Sequence, residues 1–233
     1  EEILSILKAE LAPLDVWLEF AIEYYTQGKI DQFLAILSVG SSSELESFYG
    51  DCRQERVAIL NTLAAYYTQL AINTPFDQGK RDHLFSQATQ AYNKADRIMI
   101  REDSVTWVGK GVMMLWKGDL GHALQSFETA LENSPVASWA AGNRFQSATT
   151  SRSTSTKLSA KQAERVIPAM LGKACLLYTQ KRYDDALKLY QRILATNRNV
   201  VSGARFGIAL CLFQLGNFEM SRKALERVIE LDP

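Results

Sequence analysis

Residues 107–135 read WVGKGVMMLWKGDLGHALQSFETALENSP, and this stretch decides the fold. Trp107 and Gly111 lie one helical turn apart on a first helix, and Ala123 and Phe127 do so on a second. Gly111 and Ala123 carry almost no side chain, so the two helix backbones can approach closely. Trp107 and Phe127 then fill the space at either end. The stretch therefore predicts two antiparallel helices packed face to face.

The connection and the end of this hairpin carry signals of their own. Gly118 and Asp119 predict a tight turn between the helices, and Pro135 blocks continuation of the second helix. Taken together, these positions match the tetratricopeptide repeat (TPR), a unit of about 34 residues that forms one helical hairpin.

The same template recurs along the chain. Moved forward, it places Ala186 on Ala123 and Tyr190 on Phe127, and looser copies follow downstream and upstream. The predicted repeats lie near residues 14–47, 57–101, 104–135, 167–200 and 202–233, after a short N-terminal helix. The sequence therefore predicts an all-α fold, a right-handed superhelical TPR solenoid of about five hairpins that forms a single domain over residues 1–233.

Residues 136–164 interrupt the period. Between 147 and 159, nine of thirteen residues are Ser or Thr and none is acidic. Such a composition cannot bury enough apolar surface to fold alone, which predicts a disordered Ser/Thr-rich insertion. A tolerated insertion is the favoured interpretation, and a regulatory or nucleic-acid-contacting loop that phosphorylation switches is the alternative.

Composition argues against several classes of function. Twenty-six basic residues balance twenty-six acidic ones, so no global field attracts nucleic acid or an anionic membrane. The longest apolar run, residues 206–213, is too short to cross a bilayer. Phosphate loops, GxSxG, HExxH and zinc-ligand spacings are all absent from the sequence. Three distant cysteines (Cys52, Cys175 and Cys211) predict small buried residues. We expect no enzymatic activity, no cofactor, no metal and no small-molecule substrate.

A second apolar stripe on the first helices of the third, fourth and fifth repeats is the candidate functional feature. Its members are Val105, Val108, Val112, Leu115, Leu171, Tyr178, Phe206, Leu210 and Phe213. A helix that is apolar on two sides must bury both of them. Contacts between repeats can absorb much of the stripe, and a hydrophobic groove for a partner's helix or extended segment can use the rest.

The stripe also bears on the kind of TPR protein. Co-chaperones of this fold hold a terminal carboxylate with Lys, Asn and Arg side chains in the groove. Apolar residues stand in those places here, although Asn61 keeps some polarity in the second repeat. A TPR co-chaperone or trafficking adaptor that binds peptide segments stays the alternative function. An RNA-processing array would need basic inner faces.

Particular strings resemble one TPR family beyond the generic repeat. ILSILKAELAPLDVWLEFAIEYYTQGKIDQFLAIL (3–37), ERVAILNTLAAYYTQLA (55–71) and IPAMLGKACLLYTQKRYDDALKLYQRIL (167–194) closely resemble the N-terminal part of the TPR scaffold subunit of the RNA polymerase II-associated factor (Paf) complex. The segment SSSELESFYGDCRQER (41–56) looks most like plant versions, which indicates a plant or algal source. The insertion at 136–164 departs from this family's pattern.

This resemblance implies a nuclear, non-enzymatic scaffold that supports transcription elongation and co-transcriptional histone modification. It further implies that the N-terminal repeats hold other Paf-complex subunits, above all the namesake subunit. RNA polymerase II would then be reached indirectly, without a cofactor and without direct nucleic-acid binding.

Overall fold

The structure is a computed structural model that describes residues 2–132, 160–196 and 202–231, and these residues form twelve α-helices. The helices are α1 (Glu2–Ala9), α2 (Leu14–Thr26), α3 (Ile30–Gly40), α4 (Ser43–Glu46), α5 (Arg53–Ile72), α6 (Gln78–Ile98), α7 (Ser104–Lys117), α8 (Leu120–Glu132), α9 (Ala160–Thr179), α10 (Tyr183–Thr196), α11 (Gly203–Gln214) and α12 (Phe218–Leu231). The predicted all-α TPR fold is confirmed.

The helices pair in sequence as hairpins. α2 packs on α3, α5 on α6, α9 on α10 and α11 on α12, while α7 meets α8 where Gly111 faces the ring of Phe127. Within the described residues, the chain divides into two compact units, Glu1–Gly109 and Lys110–Pro233, with the division inside α7. One continuous solenoid over residues 1–233 stays a prediction.

The hairpin turns use a left-handed backbone at one position. Gly28, Gly118 and Gly216 have φ values of 75°, 82° and 79° between the helices of three hairpins. Lys181 occupies the same place between α9 and α10 with φ 63°, in agreement with its alignment to Gly216 in the repeat template. A side chain is tolerated there at some cost, because a left-handed residue other than glycine is strained.

The predicted insertion at 136–164 lies largely outside the described residues. At its C-terminal end the structure differs from the expectation, because α9 begins at Ala160 and already includes residues 160–164. The sequence there is AKQAE, and Ala, Lys, Gln and Glu all rank high in helix propensity. This helix continues through Pro168, whose ring nitrogen cannot donate a backbone hydrogen bond.

Trp17 anchors the core of the first hairpin. Its side chain is fully buried, and its Nε1 donates a hydrogen bond to the carbonyl oxygen of Ala12 at 3.0 Å. The hydroxyl of Tyr49, beyond α4, donates to the same carbonyl oxygen at 2.8 Å. The connection between α1 and α2 is therefore fixed from two directions.

A polar network joins the second and third hairpins. The Oδ2 atom of Asp103 accepts hydrogen bonds from Nδ2 of Asn61 at 2.9 Å and from the backbone N–H of Thr106 at 2.8 Å. The hydroxyl of Thr106 lies 2.7 Å from that Oδ2 and 3.0 Å from Oδ1 of Asn61. Asn61 and Thr106 are buried. Asp103 therefore caps α7 and satisfies two buried side chains of adjacent repeats at once.

Aromatic rings on second helices press against glycines of the following first helix. Tyr92 of α6 faces Gly109 of α7, and Tyr190 of α10 faces Gly207 of α11. A Cβ atom at Gly109 would lie less than 3.0 Å from the Tyr92 hydroxyl oxygen, and one at Gly207 would lie equally close to Cζ of Tyr190. We call these the aromatic–glycine contacts.

Phe127 of α8 makes two of these contacts at once. A Cβ atom at Gly172 of α9 or at Gly111 of α7 would lie less than 3.0 Å from the same atom of the ring, Cε1 of Phe127. The ring is fully buried. It therefore lies between two helix backbones that only glycine lets approach so closely.

We expect Gly172→Ala to destabilise the protein by about 1–3 kcal/mol, because the Phe127 ring is held on both sides and cannot move away from the added methyl group. The measurement is urea unfolding followed by helical circular dichroism. Gly121→Ala is the matched control, because the nearest atom to its Cβ is Oδ1 of Asp119 at 3.8 Å. That variant should be neutral or more stable by up to about 1 kcal/mol. Equal effects of the two changes would contradict the role of Phe127.

We expect Asp103→Ala to cost about 2–4 kcal/mol of unfolding free energy, since it removes a helix cap and leaves Asn61 and Thr106 without their shared acceptor. Asp77→Ala provides the comparison. Asp77 also caps a helix, accepting from the backbone N–H of Lys80 at 2.9 Å, but the site is exposed. Its loss should cost only about 1 kcal/mol in the same urea titration. A smaller loss for Asp103→Ala than for Asp77→Ala would show that the network adds nothing to capping.

Candidate protein-binding surface

The predicted stripe on α7 is exposed at its start and packed at its end. Val105 is 56% exposed and Val108 is half-buried. Val112 and Leu115 are half-buried and pack against the core cluster that contains Phe127. On this helix, contacts within the fold therefore absorb the second half of the stripe and leave Val105 reachable by a partner.

On α9 and α11 the stripe keeps more of its surface. Leu171, Tyr178 and Leu210 are half-buried, whereas Phe206 is 47% exposed and Phe213 is 54% exposed. These two first helices contact each other within the second unit. Two exposed phenylalanine rings about two turns apart on one helix make α11 the most accessible apolar part of the predicted stripe.

Two of the stripe's aromatic residues also have a structural partner. The ring of Tyr178 lies 5.3 Å from that of Tyr183, and the ring of Phe213 lies 5.3 Å from that of Phe218, both in edge-on geometry. The second pair occupies the same places in its hairpin as the first pair does in the preceding one. Each pair bridges the turn between the two helices of its hairpin, so these rings stabilise the hairpin as well as present apolar surface.

None of the nine predicted stripe residues is fully buried. Val105 and Val108 belong to the first compact unit, and the other seven belong to the second. A single groove that runs along all of them stays a prediction.

Asn61 does not provide the groove polarity that the sequence suggested. Its side chain is only 8% exposed, and its amide is hydrogen-bonded to Asp103 and Thr106. The reason is that the third repeat begins with a capping Asp directly against α5, so the amide is used inside the fold. Asn61 is therefore not placed to bind a partner's carboxylate.

The three cysteines differ from one another more than the sequence predicted. Cys211 is fully buried and Cys52 is half-buried, but Cys175 is exposed. Cys175 lies on the outward face of α9, one turn from Leu171, so its apolar neighbours in sequence do not cover it. Burial raises the pKa of the Cys211 thiol to about 11.

No cluster suited to metal binding occurs in the described parts of the chain. No group of three or more His, Cys, Asp or Glu side chains there could hold a metal ion. The Nδ1 atom of exposed His122 lies 2.7 Å from Oδ2 of Asp119. The backbone N–H of His122 and then its ring lower the pKa of Asp119, which caps α8. This pair is a helix cap on the surface.

Helices of residues 2–132, 160–196 and 202–231 are all too short or too polar to cross a membrane.

Sequence reasoning missed the glycines that receive an aromatic ring from the preceding hairpin. The signal was present, because the step from Tyr92 to Gly109 equals the step from Tyr190 to Gly207. The insertion hides the same step between Phe127 and Gly172. The repeat template aligns the two helices of one hairpin, whereas these contacts join successive hairpins.

The hairpins and their aromatic–glycine contacts define a helical repeat protein of the tetratricopeptide class. The family model described as "Tetratricopeptide repeat" matches residues 171–233. The fold is similar to a solved structure titled "Crystal structure of MamA protein", with a TM-score of 0.52 and 12% identity over 93% of this chain and 90% of that one. At that identity the likeness concerns the fold alone.

Sequence comparison is more specific and covers the whole chain. The chain is 40% identical over 232 residues to "Protein CTR9 homolog" of Arabidopsis thaliana and 30% identical over 239 residues to "RNA polymerase-associated protein CTR9" of Caenorhabditis elegans. A third relative, "RNA polymerase-associated protein CTR9" of Saccharomyces cerevisiae, is 25% identical over 229 residues. The predicted resemblance to the Paf-complex TPR subunit, with its plant-like character, is confirmed. The chain spans about a fifth of the length of these relatives, 18% in the first two.

We expect iodoacetamide at pH 8 to modify Cys175 much faster than Cys211 in the native protein. Desolvation raises the pKa of both thiols, that of Cys211 to about 11, but the Cys211 thiol is buried whereas Cys175 is exposed to the reagent. Peptide mass spectrometry after a time course gives the two rates, and labelling in urea provides the control in which both sites should react alike. Equal native rates would contradict the burial of Cys211.

Proposed function

We propose that this chain is a protein-binding scaffold segment of the Paf transcription-elongation complex. In this proposal it holds partner subunits in support of RNA polymerase II elongation and co-transcriptional histone modification. It acts in the nucleus and performs no catalysis of its own. The single observation that carries the proposal is the 40% identity to the Arabidopsis relative along the entire chain.

The printed names of the relatives support the assignment. The nematode and yeast relatives are named RNA polymerase-associated proteins. A binding role also agrees with the repeat architecture, because TPR hairpins present extended surfaces built from many small contacts. The part of the surface that we assign to the partner is the stripe without Val112 and Leu115, and it comprises the exposed Val105, Phe206 and Phe213 and the half-buried Val108, Leu171, Tyr178 and Leu210.

The partner is another Paf-complex subunit, in the first place the namesake subunit. Exposed aromatic and aliphatic side chains on α11 favour a helix or an extended segment with apolar anchors of its own. Asn61, the one polar residue suggested for a carboxylate clamp in the groove, is engaged inside the fold, which weighs against the co-chaperone alternative.

We expect Phe206→Asp and Val105→Asp each to reduce capture of the namesake Paf-complex subunit, since a carboxylate at either position would have to be desolvated when the partner binds. The reduction should be about tenfold or more in affinity, measured by biolayer interferometry with the purified subunit. Both positions are about half exposed, so the fold should tolerate the change. Val112→Asp is unsuitable because Val112 packs on the Phe127 core.

Phe76→Asp is the matched control. Phe76 lies outside the stripe and is fully exposed, so the same change in charge and size occurs at a site without contacts. Its affinity for the subunit should equal that of the unmodified chain. If Phe206→Asp and Val105→Asp also bind normally, the stripe is the wrong surface. If the unmodified chain does not bind any Paf-complex subunit, the proposed function itself is wrong.

A further inference from the structure

A concave cleft lies in the first unit, between the α3–α5 connection and the C-terminal end of α6. Its volume is about 640 Å³, and its walls include Ser41, Ser43 and Gly50 on one side and Ile98 and Ile100 on the other. We call it the α4–α6 cleft. It is distinct from the apolar stripe, because none of the stripe residues lines it.

The charge of the cleft is strongly positive although the chain as a whole is neutral. Arg53, Arg56, Lys94 and Arg97 line it, against the single acidic residue Glu46. Glu46 forms an ion pair with Arg56. The structure shows no ion pair for Arg53, Lys94 or Arg97 with any described residue. Three cations therefore line one cleft without an ion pair to any residue that the structure describes.

Helix electrostatics explain only part of this cluster. Arg97 lies in the last turn of α6 and Lys94 one turn earlier, where the helix dipole favours a cation. Arg53 and Arg56 lie in the first turn of α5, where the dipole disfavours one. The ion pair with Glu46 accounts for Arg56. Arg53 shares this first turn with Glu55 but forms no ion pair with any described residue, so an anionic ligand in the cleft would give it a direct partner.

The apolar residues that line the cleft indicate which class of anionic ligand fits it. Leu60, Ile98 and Ile100 lie among the cations, and Ile100 is 72% exposed. A nucleic acid would need stacking partners for its bases, and none of the cleft's lining residues is aromatic. A peptide that alternates carboxylates with aliphatic side chains matches both components, because guanidinium groups bind carboxylates in bidentate fashion and the isoleucines cover methyl groups.

We propose that the α4–α6 cleft binds an acidic peptide segment of a partner protein, with its carboxylates on Arg53, Lys94 and Arg97 and its aliphatic side chains on Ile98 and Ile100. This site is separate from the capture of a subunit by the apolar stripe. It adds a second, electrostatic contact to the same chain.

The experiment uses the 233-residue chain and fluorescence anisotropy with three labelled probes. These are a synthetic peptide rich in Glu and Leu, the same peptide with Lys in place of Glu, and a single-stranded oligouridylate of the same charge as the acidic peptide. The double variant Arg53→Glu/Arg97→Glu should weaken binding of the acidic peptide more than about tenfold, because two charge-assisted contacts become repulsive. The Lys peptide should not bind the unmodified chain.

The control is the double variant Lys8→Glu/Lys80→Glu. It makes the same change in net charge at two exposed sites outside the cleft, one in the last turn of α1 and one in the first turn of α6. The cleft variant likewise changes one residue in a first turn and one in a last turn, so the effects on helix dipoles are matched. Its affinity for the acidic peptide should stay within about twofold of the unmodified chain, since distant exposed charges are screened.

Three outcomes would overturn the proposal. The first is equal weakening by the cleft variant and the control, which would mean that only net charge matters. The second is tighter, cleft-dependent binding of the oligouridylate, which would assign the site to nucleic acid. The third is no binding of the acidic peptide to the unmodified chain. Should the double variant lose its helical circular dichroism, Arg53→Gln replaces it and should weaken peptide binding at least about threefold.

Discussion

The contact between the Phe127 ring and the backbones at Gly111 and Gly172 is the constraint on which the second unit depends. It joins α7, α8 and α9 at one point, and it does so although the whole segment 133–159 separates α8 from α9 in the chain. The entropy of closing a loop grows only slowly with its length. An insertion between two repeats is therefore tolerated as long as Phe127 can still pack against Gly172. The fourth hairpin then packs on the third through α8 and α9.

This constraint also decides which apolar side chains remain for a partner. The second-helix aromatic residues Tyr92, Phe127 and Tyr190 are used between repeats, and all three are buried. Val112 and Leu115 are drawn into the same core as Phe127. Apolar surface that stays exposed on first helices includes Phe206 and Phe213 of α11, and α12 adds exposed apolar side chains such as Phe218 and Ile229. A binding surface made of such residues can lie on the same helices that pack the repeats together, because these helices carry more apolar residues than the core buries.

Periodicity was sufficient for the hairpins, their turns and the class of the fold, since these features repeat at fixed spacing. Lys181, which the repeat template aligns with Gly216, has a left-handed backbone in the structure although it is not glycine. Features set by one particular contact were not predictable. The partners of Asn61 are 42 and 45 residues away in sequence, and the exposure of Cys175 depends on the face that α9 turns outward. The start of α9 at Ala160 was not predicted, because the repeat template placed the end of the insertion at residue 164 although the sequence of residues 160–164 favours a helix.

The zero net charge of the chain gave no indication that cations cluster locally in the structure. A sum of zero excludes a global field, but it says nothing about where the charges lie. In the α4–α6 cleft, residues from α5 and α6 that are far apart in the chain bring their cations to one cavity. Added salt should affect binding at the two proposed sites, the apolar face of α11 and this cleft, in different ways. Salt screens the attraction at the cleft but leaves hydrophobic contact intact or strengthens it. With both proposed sites in use, one chain would hold a partner through apolar contact while an acidic segment exchanges.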